Sequence, residues 1–198
     1  MNLPDRVRVH FMNSLSGFKS ANLIGTKGIE GQENLSIISS VTHLGSKPPL
    51  ISLIFRPHVV ERHSYENIIA TKFFTVNHVD RSFFREAHQT SARYPRDISE
   101  FKACSIKKEY LNGFYAPFVK QSQIKLGIEY VESYEIRKNN CIFLAGQVCC
   151  VYYNCEYFLE DGSLDLESAG VVSISGLDTY HSCKKIAKLP YAKPTKKN

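Results

Sequence analysis

Short apolar runs, each closed by turn residues within about eight to twelve positions, constrain this chain more than any other feature. Residues 20–26, 35–42, 50–55 and 73–76 read as short strands, and 127–137 and 142–157 as two longer ones rich in Val, Ile and Tyr. Between them fall Gly28 and Gly31, then Gly45-Ser46-Lys47-Pro48-Pro49, Asn139-Asn140 and Asp161-Gly162, all turn chemistry. Helical spacing is confined to 63–71, where Tyr65, Ile68 and Ile69 share a face, to 80–89 with Asp80 as N-cap, to a short piece starting at Ser99, to one turn at 164–168, and to a terminal helix over 179–187. Many short strands with few helices predict a closed or partly closed antiparallel barrel rather than a βαβ sheet. At 198 residues the chain is expected to hold one core, with 181–198 as a basic tail bearing Lys184, Lys185, Lys188, Lys193, Lys196 and Lys197.

Several function classes find no support. There is no phosphate-binding glycine loop, no GxGxxG and no GxSxG. The histidines at 10, 43, 58, 63, 78, 88 and 181 form no HxxxH pair, and the six cysteines form no CxxC, so no metal site is expected. The cysteines read instead as buried thiols of a reducing compartment. The net charge of +6 lies largely in the tail, with no recognition motif beside it, so nucleic acid is not an expected partner. The start, Met1-Asn2-Leu3-Pro4-Asp5-Arg6, lacks the pattern of a signal peptide, and no apolar run approaches the ~20 residues that cross a membrane. A cytoplasmic protein without membrane association is the expectation.

Two stretches suggest binding. Asn34 to Pro49 places Ser36, Ser39, Ser40 and Thr42 in an otherwise apolar run. Hydroxyls in a core strand need partners, and a flat heterocycle lying against the strand could supply them; a half-exposed strand edge is the alternative. Arg56-Pro57-His58 followed by Ser64 at a helix start combines fixed charge, a hydroxyl and free helix N–H groups, which suits an anion. A surface loop with ordinary salt links is the alternative there.

The order of these pieces resembles a known family. A first strand and Gly-rich return lead to Asn34 and the Ser/Thr strand. Pro48-Pro49-Leu50, Arg56-Pro57-His58 and Ser64 to Asn67-Ile68 follow, then Phe73 to Val76-Asn77, Pro95 to Glu100-Phe101, and Gly146-Gln147-Val148. From about residue 14 to 180 this is similar to the flavin-reductase-like, FMN-binding split-barrel family. The resemblance implies an all-β-dominated fold, a six-stranded Greek-key split β-barrel with peripheral helices, that dimerises with FMN near the interface. It matches Ser39, Ser40, Val41 and Thr42 to the strand lining the isoalloxazine, and Arg56, His58 and Ser64 to positions around the ribityl phosphate. It matches residues 176–180 to a segment that closes over the flavin. One departure stands out. Many reductases of this family carry Gly-Asp-His a few residues before the glycine matched by Gly146, a motif associated with NAD(P)H use; here Asn139-Asn140-Cys141 occupies that place.

The leading expectation is thus an FMN-containing oxidoreductase, a flavin reductase or flavoprotein electron carrier, taking electrons from NADH, NADPH or a protein donor. The cofactor would carry the chemistry, so no catalytic side chain is expected. The rival expectation is a non-catalytic flavin-binding module. A third is the same barrel used for haem or pyridoxal phosphate.

Overall fold

The computed structural model describes residues 3–194. In chain order it contains α1 (Asp5–Ser14), β1 (Lys19–Ser20), β2 (Asn22–Lys27), β3 (Glu33–Ile38), β4 (Thr42–Ser46), β5 (Pro49–Phe55), α2 (His63–Thr71), β6 (Phe73–His78), α3 (Phe84–Gln89) and α4 (Glu100–Ala103). Then follow β7 (Lys108–Glu109), β8 (Phe118–Val119), β9 (Ile124–Ile136), β10 (Cys141–Tyr153), a 3₁₀ turn at Cys155–Tyr157, β11 (Val172–Ser175) and β12 (Thr179–Ser182). Seven strands form one antiparallel sheet in the order β3-β2-β6-β9-β10-β5-β4, and β1-β11-β12 and β7-β8 make two small sheets.

The large sheet curls on itself. Ile24 of β2 and Leu53 of β5 lie near opposite ends of the strand order, yet both are buried in one core with Phe74, Val76, Ile128 and Leu144. Ile68 of α2 plugs that core. Register shifts in β10 between Ala145 and Gly146, and between Val148 and Cys150, bend the long β9–β10 pair around the corner, as bulges do. The terminal strands β3 and β4 do not pair with each other, so the barrel stays split.

Strand β2 is buried on both faces, because side chains alternate along a strand. Ile24 faces the barrel, while Leu23 faces a second core with Leu35, Val79, Phe83, Phe101, Val172 and Ile174. This second core seats α3, α4 and the small β1-β11-β12 sheet against the outside of the barrel. Gly25 has no room for a side chain: a Cβ there would lie 2.3 Å from the Pro117 carbonyl oxygen.

The fold class is the expected one, with several local corrections. The run 35–42 is not one strand. It ends at Ile38 and resumes as β4 at Thr42, leaving Ser39, Ser40 and Val41 between strands; hence the main sheet holds seven strands where six were expected. Gly45 and Ser46 belong to β4 rather than to a turn. The helix expected from Asp80 begins at Phe84, because Asp80 is buried, bridges to Val171, and turns its Oδ1 to the Ser82 N–H and hydroxyl at 2.8 and 2.5 Å. Residues 155–157 form a 3₁₀ turn instead of extending β10. Leu164 bridges to Phe158 and the turn falls at 166–170 instead of 164–168. The helix expected over 179–187 is β12 followed by irregular chain. Val172–Ser175 offers Thr179–Ser182 a ladder, and Tyr180 packs its ring 5.4 Å from that of Phe84. Helix α1 was not legible because it buries no residue and so shows no apolar stripe. Of the six free cysteines only Cys104 is buried, contrary to the buried set expected. Lys196 and Lys197 lie outside the described residues.

Candidate functional site

A cleft of about 1360 Å³ opens where the β3–β4 break, the start of α2, the 90–95 loop and the β11–β12 turn converge. Ser39, Ser40, Val41, Thr42, Arg56 and Ser64 all line it. His58 does not: its Nε2 lies 2.8 Å from Glu66 Oε1.

The break in the hydroxyl-rich segment shapes the cleft wall. Ser40 Oγ accepts from the Ile54 N–H and donates to the Ile54 carbonyl, both at 3.0 Å. One side chain thereby does the work of a missing ladder residue, and β5 keeps its hydrogen bonds where the neighbouring strand departs. Among the described residues, no backbone–backbone hydrogen bond joins Ser39, Ser40 or Val41 to another residue. The Ser20 hydroxyl donates to the Val41 carbonyl at a long 3.5 Å. Apart from that contact, the half-buried N–H and C=O groups of Ser39, Ser40 and Val41 have no protein partner among the described residues, and such groups beside a cleft call for one.

At the start of α2 the Ser64 hydroxyl is buried and engaged. It accepts from Asn34 Nδ2 at 2.7 Å and lies 2.7 Å from Ser36 Oγ. These bonds pin the first helical turn to β3, so Ser64 offers a ligand its backbone more than its hydroxyl. No side chain caps this helix, which leaves its first N–H groups free. Glu66 draws the preceding loop together: Oε1 accepts from the Arg62 N–H at 3.0 Å, and its other oxygen pairs with Arg96. Burial alone would raise the Glu66 carboxyl, but the Arg62 N–H, Arg96 and His58 together hold it below the ordinary carboxylate range.

Four permanent cations line the cleft: Lys19, Arg56, Arg62 and Arg93. Burial, then repulsion from Arg56, holds Lys19 below its usual value. Burial, then Arg56 and Arg93, does the same to Arg62. On the far wall His88 Nδ1 lies 3.0 Å from the Tyr180 hydroxyl, and burial, with Asp178 nearby, pushes that phenol up to about 12. Tyr180 therefore remains a protonated donor at neutral pH. Tyr180 belongs to the 176–180 segment matched by resemblance, and Gly176, Leu177 and Asp178 of that segment line the cleft with it; Lys19, Arg62, Arg93 and His88 were missed in the sequence, because they come from segments that meet only in the folded chain.

Glu100 borders the same cleft and is buried; its Oε2 accepts from the Leu35 N–H of edge strand β3 at 2.9 Å. Burial raises its carboxyl above the ordinary range despite that bond. The protonated acid thus favours the folded state, and this contribution is present below the unfolded value of 4.5 and lost as pH rises through the folded one. Glu100→Gln keeps the acceptor and removes the charge. We expect it to unfold at equal or higher urea than wild type at pH 8, with a flatter stability profile above pH 4.5. A clear loss of stability at pH 8 would show that the ionised carboxylate is needed.

The curled, split sheet and the cation-lined cleft beside its broken edge define one class of protein. The family model for the flavin reductase like domain matches residues 16–158, and the chain belongs to that family. A solved structure of a proposed flavin reductase with a split barrel domain, from Shewanella frigidimarina NCIMB 400, is 50% identical with a TM-score of 0.93, covering 96% of this chain and 95% of that one. An FMN-binding protein from Thermus thermophilus, solved with bound 1-cyclohex-2-enone, shares the fold at 14% identity and a TM-score of 0.73, over 87% of this chain and 90% of that one. An uncharacterized protein of Aquifex aeolicus (strain VF5) is 24% identical over 118 residues, 57% of this chain; the chain matches 60% of that relative's length. Among the described residues no helix is long and apolar enough to cross a membrane, and no group of three or more His, Cys, Asp or Glu could hold a metal ion.

Proposed function

We propose that the cleft binds FMN and that the protein is an FMN-dependent oxidoreductase of the flavin reductase kind. The observation that carries this reading is the run of backbone groups at Ser39, Ser40 and Val41 that make no backbone–backbone hydrogen bond, beside a cluster of cations that form no ion pair among the described residues. A flavin presents both complements: a planar edge of alternating donors and acceptors, and a phosphate. Ser39, Ser40, Val41 and Thr42 would meet the ring edge. Arg56 and the N–H groups at Ser64 would meet the phosphate. His58 would act at one remove, through Glu66, by fixing the loop that carries Arg62. When bound, the flavin would supply hydride or electron transfer, and the chain's part is to orient it and to neutralise its phosphate.

A homodimer fits the same reading. Tyr134 and Ile136 on β9, two positions apart and so on one face of the strand, are 53% and 40% exposed, apolar surface that a second copy would cover. Sedimentation giving a stable 22.5 kDa species with FMN bound would count against it. Six thiols, none of them in a disulfide, support a reducing, cytoplasmic setting.

The electron donor is the open half, with NADH and NADPH the candidates. Asn139-Asn140-Cys141 sits at the tip of the β9–β10 hairpin, outside the cleft lining, with Asn140 at a positive φ of 56° and Asn139 Oδ1 accepting from the Cys141 N–H. This turn favours a second reading, a flavin-binding module without efficient NAD(P)H oxidation. Anaerobic mixing of the FMN-loaded protein with NADH or NADPH separates the two. Slow bleaching beside dithionite reduction is the outcome we expect from the neutral turn; fast bleaching that saturates at micromolar nucleotide supports the reductase.

A further inference from the structure

Beyond β10 the chain separates its charges. Glu156, Glu160, Asp161, Asp165 and Glu167 fall within residues 156–167, with no Lys or Arg among them. The tail inverts that composition: Lys184, Lys185, Lys188 and Lys193 fall within 184–193, with no Asp or Glu. The fold lays the second segment along the first. Val172 pairs with Ser182, the Lys185 N–H donates to Glu167 Oε2 at 2.8 Å, and Lys188 pairs with Asp161. As the tail runs forward from 182 to 188, its partners run backward from 172 to 161, so it continues the antiparallel course of β12. Asp165, between the two contacts, is held below its usual range by bonds from Ser168 first, with Lys185 adding to them. Arg81 stands near Gly170 and Tyr157 but makes no ion pair, so Lys188–Asp161 is the one ion pair that 156–167 forms among the described residues.

Charge and a charge-assisted hydrogen bond do this holding; apolar burial does not. Ile186, Leu189 and Tyr191 are 101%, 82% and 91% exposed, so the tail turns its apolar side chains to solvent while the Lys185 N–H and the Lys188 ammonium meet the acidic segment. The holding matters for β12. That strand is the four-residue edge of the β1-β11-β12 sheet and pairs with β11 alone. Its Tyr180 enters the cleft wall, against Phe84 and His88. A short edge strand that runs on into free chain opens readily, because few contacts must break. Tying the continuation to the neighbouring segment lengthens what must open together.

We propose that the basic tail is a charge-held strap, which docks on the acidic 156–167 segment and so keeps β12, and Tyr180 with it, in the cleft wall. Exposed ion pairs are individually weak and are screened by salt, so the strap sits close to balance between docked and free. It therefore responds to ionic strength, as an apolar clasp would not. The strap stands on the fold alone and holds whether or not the cleft takes a flavin.

Backbone hydrogen exchange over 179–193, read on the full chain at low salt and at about 1 M NaCl, tests it. In wild type the Lys185 amide and the β12 amides are expected to exchange about 2- to 5-fold faster at high salt, with β9 and β10 unchanged. Lys185→Glu combined with Lys188→Glu is expected to free the tail at low salt. Salt should then act in the opposite direction, because it screens repulsion instead of attraction. Exchange over 179–193 that ignores both salt and the charge reversal would overturn the strap. So would a loss of protection that follows dilution rather than salt, since a second copy would then be what holds the tail. Loosening of 183–193 with β12 unmoved would overturn its hold on the cleft wall.

Discussion

Asn77→Ala is expected to cost about 2–4 kcal/mol of stability, a large share of what a domain of this size has. Asn77 is fully buried at the end of β6. Its Nδ2 donates to the Leu23 carbonyl at 3.0 Å and to Thr75 Oγ1 at 2.8 Å, while its Oδ1 accepts from the Val119 N–H at 2.9 Å. Thr75 Oγ1 in turn donates to the Pro117 carbonyl at 2.7 Å. One side chain therefore ties β2, β6 and β8. Alanine leaves the Val119 N–H without its acceptor and takes a donor from Leu23, and each buried orphan costs on the order of 1–3 kcal/mol. Urea unfolding at unchanged m-value reads the effect. A change under about 0.5 kcal/mol, the range of ordinary surface substitutions, would mean that water or a backbone shift satisfies these groups.

Arg56→Ala is expected to weaken FMN by about 10- to 150-fold while leaving riboflavin, which lacks the phosphate, little changed. The effect should fall toward the lower end. Arg56 is exposed, where solvent screens charge, and Lys19 and Arg62 remain nearby to serve part of the phosphate. Fluorescence titration with both ligands gives the contrast. Equal losses for FMN and riboflavin would place Arg56 in support of the β5 exit rather than at the phosphate.

The sequence made legible those parts of the fold whose side chains report their own surroundings. Strand β5 is buried through Ile51 to Leu53, and β2 from Asn22 to Thr26, so both read as near-continuous apolar runs. Helix α2 was legible from Tyr65, Ile68 and Ile69, but the face it buries is Ser64, Asn67 and Ile68, because Asn34 and Thr26 supply the two polar side chains with partners. What failed depended on distant partners. The break at Ser39–Val41 exists because the Ser40 hydroxyl reaches Ile54, fourteen positions on, and nothing local announces it. Asp80 has the chemistry of an N-cap, but its carboxylate is taken by Ser82 and the chain bridges to Val171 first. Thr179–Ser182 becomes a strand only because Val172–Ser175 is there to pair with it.

The site divides the same way. Ser39, Ser40, Val41, Thr42, Arg56 and Ser64 come from two neighbouring stretches, whose unusual hydroxyls and arginine marked them, and the fold brings all six to one cleft. His58 carried the same mark but turns to Glu66, a choice set by the loop rather than by residue type. Lys19 and Arg93 carry no mark in the sequence. Their meaning lies in standing at one cleft with Arg56 and Arg62, which is a property of the tertiary structure. Ser64 is a subtler case: the residue lines the cleft, yet its hydroxyl is spent on Asn34 and Ser36.

The visible spectrum of the purified chain decides whether the cleft holds a flavin. A yellow protein is expected, or one that becomes so with added FMN, holding one flavin per chain that heat or acid releases intact. A colourless protein whose spectrum and fluorescence do not change with excess FMN would contradict it.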